Sequence, residues 1–357
     1  VRVLIDITYS ARAPQSGTGV YVERLSAALA ALDGVEVVSA RNERRRAPAG
    51  GGWRSARNLL DDERWTQVEL PRRARAARAD VIHHPLPTFA HACAVPQVIT
   101  VHDLAFEALP GHFDPGFRRV AHVTHRAAAR RARAVICVSQ ATAGDVRERW
   151  GIAAERIVVA PHGPGQDFGA PVAMEPRPGY FLYVGDDEPR KNLAGLLAAY
   201  RVYRDRDRDR DRGAARRATA PLELVLAGSA SAREAGVRVE TRPDAGRLAA
   251  LYAGAVALVH GSLHEGFGMT LLEAMAAGAP VLAAPAPGVV EVCGEAARYA
   301  DPGDPSAFAA AMAEIAADGS LRRELAERGR RRAAEFSWTD SARIHICAYS
   351  LALSDDR

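Results

Sequence analysis

The chain has 357 residues, 48% of them hydrophobic, and a formal net charge of +4. That length suits two globular domains, and the composition excludes a disordered or collagen-like chain. No apolar run approaches the ~20 residues of a membrane-spanning helix. Residues 3–7 are apolar and β-branched and read as a first strand rather than a secretion signal. Ser16-Gly17-Thr18-Gly19-Val20-Tyr21 follows, with helical spacing over residues 20–32. Strand, glycine loop and helix make the opening unit of a doubly wound sheet, in which Gly17 and Gly19 bring backbone close to a phosphate or simply serve the turn. Residues 35–40 form a second strand. Residues 41–65, with Arg44-Arg45-Arg46 and Gly50-Gly51-Gly52, are expected to be a mobile basic loop.

Two apolar strands follow at residues 80–84 and 97–101, and the second runs into His102-Asp103-Leu104. Ligands of open α/β sheets bind off the carboxyl ends of strands, so His102 and Asp103 are candidate substrate contacts. A structural histidine satisfied within the fold is the other reading. Residues 110–117 look like a lid loop. Residues 118–133 form a helix carrying Arg118, Arg119, Arg126, Arg130, Arg131 and Arg133 and no acid. Strands at 134–139 and 157–159 complete a first domain, residues 1–163. The first 163 residues carry a surplus of seven positive charges and the remainder a deficit of three. A basic first half suits nucleic acid, an anionic membrane, an anionic substrate or a plain solvated surface.

Prolines and glycines over residues 161–179 have the composition of a hinge. A second domain, residues 164–336, opens with a strand at 180–185 that ends in Gly185. Asp186-Asp187-Glu188 then suggests a metal, but Arg190-Lys191 follows directly and suggests an anion. Lys191 is the only lysine among 47 basic residues. Residues 204–212 alternate Arg and Asp, so their net field is small; they are expected to be an exposed, poorly ordered insertion with no nucleic-acid role. Strands at 222–228 and 236–241 precede a helix at 244–253. A buried strand at 255–259 leads into Glu265-Gly266-Phe267-Gly268-Met269-Thr270, and a helix starts near Met269 with Leu272, Met275 and Ala276 on its apolar face. Gly278 and Pro280 stop it. The free N–H groups of that helix point out of the glycine loop, an arrangement suited to a phosphate, with Glu265 and Glu273 flanking it for sugar hydroxyls. A crossover helix with packing glycines and solvated glutamates is the alternative. Residues 337–357 form a terminal helix. Cys93, Cys137, Cys293 and Cys347 are widely spaced with no Cys-x-x-Cys, so a reduced cytoplasm is the expected setting and cysteine-bound metal is not.

The signature Glu265-Gly-Phe-Gly, followed by Leu272-Glu273-Ala-Met-Ala-Ala-Gly278-Ala-Pro280-Val with seven residues between the two glutamates, resembles the donor site of retaining GT-B glycosyltransferases of family 4, also termed glycosyltransferase group 1. Val101-His102-Asp103-Leu104, Val138-Ser139-Gln140-Ala141-Thr142, Arg190-Lys191, residues 286–292 and residues 300–304 extend the likeness over nearly the whole chain. It implies an α/β GT-B fold: two Rossmann-like domains facing a central cleft, with the terminal helix crossing back to the first, where Tyr349 and Leu351 would bury. It implies transfer of a hexose from a UDP-, GDP- or dTDP-sugar to the hydroxyl of a glycan, a lipid-linked sugar or a secondary metabolite, with retention and without a metal or other cofactor. Arg190 and Lys191 would hold the diphosphate with Gly17, Gly19, Gly185 and Gly266 to Thr270, Glu273 the ribose, Glu265 the sugar, His102 both the donor sugar and the acceptor, and Asp103 the acceptor, with His102, Arg190, Lys191 and Glu265 as the catalytic set. The family usually has a glycine near Thr241 beside the base, and this chain departs there. A cytoplasmic enzyme is the expectation, with peripheral contact between its basic half and an anionic membrane as a further reading. A nucleotide-sugar epimerase of the same fold and a catalytically silent partner protein are the rival readings.

Overall fold

The computed structural model describes residues 1–44, 53–165, 179–213, 221–230 and 232–354. The chain divides into two compact units, residues 1–165 with 337–357, and residues 166–336. Among the described residues no helix is long and apolar enough to cross a membrane.

Unit 1 runs β1 (Arg2–Asp6), α1 (Gly17–Ala30), β2 (Glu36–Ala40), α2 (Trp53–Arg64), α3 (Leu70–Ala76), β3 (Val81–His84), β4 (Gln97–Val101), α4 (Ala105–Ala108), α5 (Pro115–Arg131), β5 (Ala134–Cys137), α6 (Gln140–Trp150) and β6 (Ile157–Val159). Its six strands are all parallel, in the order β2-β1-β3-β4-β5-β6. Strand residues alternate between two apolar layers, as the pleat requires. Val3, Ile5, Val81, Val98 and Ile136 pack against α1 and the chain's last helix, whereas Ile99, Val101, Val135 and Cys137 pack with Ala121 and Ala129 of α5 and Val146 and Trp150 of α6.

Unit 2 runs β7 (Tyr180–Val184), α7 (Leu193–Gly213), β8 (Leu224–Gly228), β9 (Val237–Thr241), α8 (Ala245–Gly254), β10 (Ala255–His260), α9 (Met269–Ala277), β11 (Val281–Ala283), α10 (Pro287–Cys293), β12 (Ala297–Tyr299), α11 (Pro305–Ala317) and α12 (Gly319–Ala333). Its parallel sheet has the order β12-β11-β10-β7-β8-β9. The winding therefore reverses between β7 and β10. In open α/β sheets ligands bind off the carboxyl ends of the strands at such a reversal. The last helix, α13 (Trp338–Leu353), belongs to unit 1. There Ala342, Ala348, Tyr349 and Ala352 join the β-sheet core, while Leu351 stays 37% exposed instead of burying.

Several expectations for local structure fail. Residues 53–64 of the expected mobile loop form α2, with an Arg57–Asp61 pair one turn apart, and Trp65 beyond it is buried with its indole N–H on Asp6 Oδ2 at 2.9 Å. The triplets at 44–46 and 50–52 lie outside the described residues except for Arg44. The Arg–Asp run continues α7 to Gly213 rather than forming an irregular insertion. Alternating charges place opposite signs three residues apart, which a helix tolerates, and the run starts directly after the buried Tyr200 and Tyr203. The expected lid at 110–117 is a 3-10 turn followed by the capped start of α5. Most of the hinge, 166–178, lies outside the described residues.

Candidate active site

Both loops at the reversal point of unit 2 carry charge. Gly185 follows β7 directly, and a Cβ there would fall 2.9 Å from Lys191 Nζ. The lone lysine thus lies against bare backbone. Pro189–Lys191 forms a 3-10 turn that closes at Asn192, a left-handed residue with φ 54°. Arg190 is pinned inside this turn: its Nε meets Glu188 Oε2 at 2.7 Å and its Nη1 meets Glu265 Oε2 at 3.2 Å. Its carbonyl accepts from Leu263 N at 2.8 Å, which ties the loop after β7 to the loop after β10. Of the acids that suggested a metal, Asp186 is bonded by Ser229 Oγ and Glu188 by Arg190.

The loop after β10 begins at His260, the last residue of that strand. His260 Nε2 lies 3.3 Å from Ser262 Oγ and 3.7 Å from Glu265 Oε2. Burial lowers the His260 pKa to about 4, against the pull of Glu265 and with Lys191 and Arg190 adding to it, so the ring is neutral at pH 7. Burial alone would raise Glu265, but Arg190, His260 and Lys191 outweigh it and hold the carboxyl below its ordinary value. Glu265 is therefore an anion within a largely cationic surround.

Gly268 then sets the start of α9. Its φ is +91°, and a Cβ there would meet Leu271 Cδ1 at 2.6 Å, so only glycine fits. Seven other described helices, α1, α5, α6, α8, α11, α12 and α13, are closed by a Ser or Asp side chain at the N-cap. The N-cap of α9 is Gly268, with no side-chain cap. Its first amides, at Met269 and Thr270, keep their dipole uncovered by a carboxylate or hydroxyl. The loop is held from behind by α10: a Cβ on Gly288 would fall 2.2 Å from Glu265 O and 2.8 Å from Gly266 O. Phe267 is buried and packs edge-on to Phe336.

Glu273 does not face water. It is 6% exposed, just over one turn into α9, and its Oε2 accepts from Tyr252 Oη at 2.7 Å. Burial and the Glu273 charge push the Tyr252 phenol well up, so it acts as a donor. The whole stretch Leu271 to Met275 is buried, wider than the single expected face.

Unit 1 builds a different polar cluster. His102 is half-buried at the end of β4, with Nε2 on Pro85 O at 3.0 Å, and burial lowers its pKa. Asp103 Oδ1 accepts from Ala105 N at 2.9 Å, fixing the turn. Tyr21 on α1 sets its ring edge-on to His102 at 4.9 Å. Behind it lies a chain of buried groups. His345 Nδ1 meets Ser341 O at 2.7 Å and can only donate, so its Nε2 accepts from Tyr21 Oη at 2.8 Å. Tyr21 then accepts from Thr100 Oγ1 at 2.8 Å, Thr100 from His83 Nε2 at 2.8 Å, and His83 Nδ1 from Tyr349 Oη at 2.9 Å. Each hydrogen has one direction, and every member is neutral. Burial, and then the neighbouring imidazoles, keep His83 and His345 low, the latter at about 4.

Gly17 and Gly19 are part of α1 itself rather than of a loop before it. Gly19 N bonds Ser16 Oγ at 3.1 Å, and a Cβ there would strike Ala13 O at 2.2 Å. The structure thus brings Gly185, Arg190, Lys191 and Glu265 together at the reversal point, with Gly266 to Thr270 and Glu273 continuing the same segment. It sets His102, Asp103, Gly17 and Gly19 in unit 1. The sequence reading missed His260, Ser262, Tyr252, Tyr21, His83 and His345. The adjacent His83 and His84 inside an apolar strand were the visible signal, since a buried polar pair needs partners.

Residues 15–164 match Glycosyltransferase Family 4, and residues 170–332 match Glycosyl transferases group 1. The chain is 29% identical over 266 residues to O-antigen chain mannosyltransferase B of Escherichia coli, covering 71% of this chain and 70% of that protein. It is 30% identical to MMP alpha-(1->4)-mannosyltransferase of Mycolicibacterium hassiacum, over 63% of this chain but only 56% of that protein. Among solved structures, sucrose-phosphate synthase of Thermosynechococcus elongatus matches with a TM-score of 0.76 at 20% identity, covering 98% of each chain. Anabaena HepE, solved with UDP and glucose, matches with a TM-score of 0.67 at 18% identity, over 98% of this chain and 99% of that one. The architecture is the two-domain α/β GT-B fold. By the two family matches, which between them take in most of its length, the chain belongs to glycosyltransferase family 4.

Proposed function

We propose that this glycosyltransferase moves a hexose from a nucleoside-diphosphate sugar to an acceptor hydroxyl, with retention at the anomeric carbon and without a metal. The observation that carries the reading is the cluster at the reversal point of unit 2: Lys191 and Arg190 on one loop, Glu265 on the other, and the uncapped start of α9. Two cations and a helix dipole suit a diphosphate and would stabilise it as the leaving group, the task a divalent metal performs elsewhere. Glu265, held as an anion, is assigned to the transferred sugar, where positive charge grows as the glycosidic bond breaks. Glu273 is assigned to the ribose, with Tyr252 already on one of its oxygens. Gly17, Gly19, Gly185 and Gly266 to Thr270 are the remaining proposed donor contacts, His102 is proposed to place the donor sugar and the acceptor, and Asp103 is the other proposed acceptor-side group.

The mannosyltransferase names of the relatives favour a hexose donor. HepE's complex with UDP and glucose supports a nucleotide sugar in this fold. The test is incubation with UDP-, GDP- and dTDP-hexoses, with simple glycosides as acceptors, in the presence of a chelator. Proton NMR of the product reads the anomeric configuration. A product of the donor's own configuration is expected. An inverted product, or dependence on added metal, contradicts the proposal; an epimerised free sugar without transfer points instead to an epimerase.

A further inference from the structure

We propose that His260 is a positioning residue for Glu265, holding its carboxylate in the orientation that glycosyl transfer uses. This rests on the assignment of Glu265 to the transferred sugar and adds what aims it. His260 ends β10, a strand hydrogen-bonded to β7 on one side and to β11 on the other. Ala257, Leu258 and Val259 before it are buried and apolar, as suits a strand covered on both faces. His260 continues that burial, at 6% exposure, with an imidazole. Its Nδ1 finds no hydrogen-bond partner among the described residues. A buried nitrogen left unpaired costs stability that an apolar side chain in the same place would not. Packing alone therefore does not account for a histidine at this position; what its other nitrogen reaches does.

That nitrogen, Nε2, lies 3.3 Å from Ser262 Oγ and 3.7 Å from Glu265 Oε2. The loop thus folds back until its carboxylate faces the strand end from which it left. A lone pair on Nε2 would oppose the Glu265 anion, so Nε2 carries the ring's proton and donates toward Ser262. Ser262 is 1% exposed, and its hydroxyl in turn favours the charged form of Glu265. Arg190 approaches the same oxygen, Oε2, from the other loop at 3.2 Å. Its guanidinium is shared with Glu188 and is assigned to the diphosphate as well, so a bound donor draws on it. His260 is fixed in the sheet and assigned to no ligand. It holds Oε2 whether or not a donor is present, and a group set on a strand aims more precisely than one set on a loop.

The test is steady-state kinetics of the full chain with the UDP-, GDP- or dTDP-hexose that it transfers to a simple glycoside. His260→Leu removes the imidazole. His260→Asn keeps a polar amide too short to reach Ser262 or Glu265, whereas His260→Gln places an amide N–H near the position of Nε2. His260→Leu and His260→Asn are each expected to lower kcat about tenfold or more with the donor KM nearly unchanged, as misplacement at a reacting centre does. His260→Gln should recover most of that loss. In a Glu265→Gln background, His260→Leu should change kcat less than about twofold, since the carboxylate it aims is gone. If His260→Leu folds poorly, His260→Asn and His260→Gln carry the same comparison, because a purely structural polar group would make those two alike. Normal kcat in the folded variants, equal kcat in His260→Asn and His260→Gln, or the full loss repeated in the Glu265→Gln background overturns the proposal for His260 alone. No transfer by the unmodified chain, or a Glu265→Gln variant that keeps its kcat, overturns the reading of the whole site and His260 with it.

Discussion

His260 in unit 2 and His345 in unit 1 are both buried, and both have pKa values lowered to about 4. Their surroundings are opposite. His345 belongs to a neutral chain in which each donor meets one acceptor and no carboxylate takes part. His260 lies among Glu265, Arg190 and Lys191, with an uncapped helix start close along the chain. A perturbed histidine is therefore no marker of a reaction by itself. In unit 1 polarity is used up internally and specifies how α13 seats on the sheet. In unit 2 charge is concentrated where the winding reverses, and the neighbouring helix end is left without a capping side chain.

The comparison breaks most visibly at Lys191. Lys191→Ala should cost about a hundredfold or more in turnover while melting stays put, as removal of preorganised charge from a diphosphate site does. Near-normal turnover would demote the unit 2 cluster to structure. The two glutamates sharpen the assignment. Glu273→Gln should raise the donor KM by roughly ten- to a hundredfold with little change in kcat, from the loss of about 1.5–3 kcal/mol of a charge-assisted hydrogen bond. Glu265→Gln should act mainly on kcat, since its charge meets the transition state more strongly than the bound donor. Identical kinetic profiles would merge the two roles.

The neutral chain predicts the reverse pattern, a loss of stability without a specific kinetic signature. Tyr21→Phe leaves His345 Nε2 and the Thr100 hydroxyl without that partner and should cost about 1–3 kcal/mol, read by denaturant titration. The smallest effect is on pH. His345 stays neutral in the folded state down to about pH 4, whereas the unfolded chain takes a proton near 6.5. Between those values the unfolded state binds more protons, so stability falls as pH falls, with a slope of about 1.4 kcal/mol per unit for each such histidine. His345→Gln should flatten that slope between pH 6.5 and 4.5; an unchanged slope would mean that His345 is not held neutral.

What was legible from sequence follows the range of the interactions. The strand, loop and helix around Glu265 to Gly278 were readable because glycine, proline and apolar spacing act locally. The reversal point was not written in any one stretch. It requires that β10 lie beside β7, which brings Leu263 N onto Arg190 O across more than seventy residues. The chain from Tyr349 to His83 was hidden for the same reason, as was the burial of Glu273 by Tyr252. Residues 53–64 and 204–212 misled because charge and glycine suggested irregular chain, whereas Trp65 and the Tyr200–Tyr203 pair anchor those segments to the sheets. Leu351 misled because the family likeness placed the helix without its rotation: residues two apart lie on opposite sides of a helix, so with Tyr349 buried Leu351 turns outward.

The central claim is that the reversal point of unit 2 holds a nucleoside diphosphate. Calorimetric titration of UDP and GDP into the full chain, with a chelator present, tests it most directly. Saturable binding by at least one of them is expected, weakened about tenfold or more in Lys191→Ala and left unchanged in Tyr21→Phe. Binding that survives Lys191→Ala intact, or that is lost in folded Tyr21→Phe instead, would contradict the account.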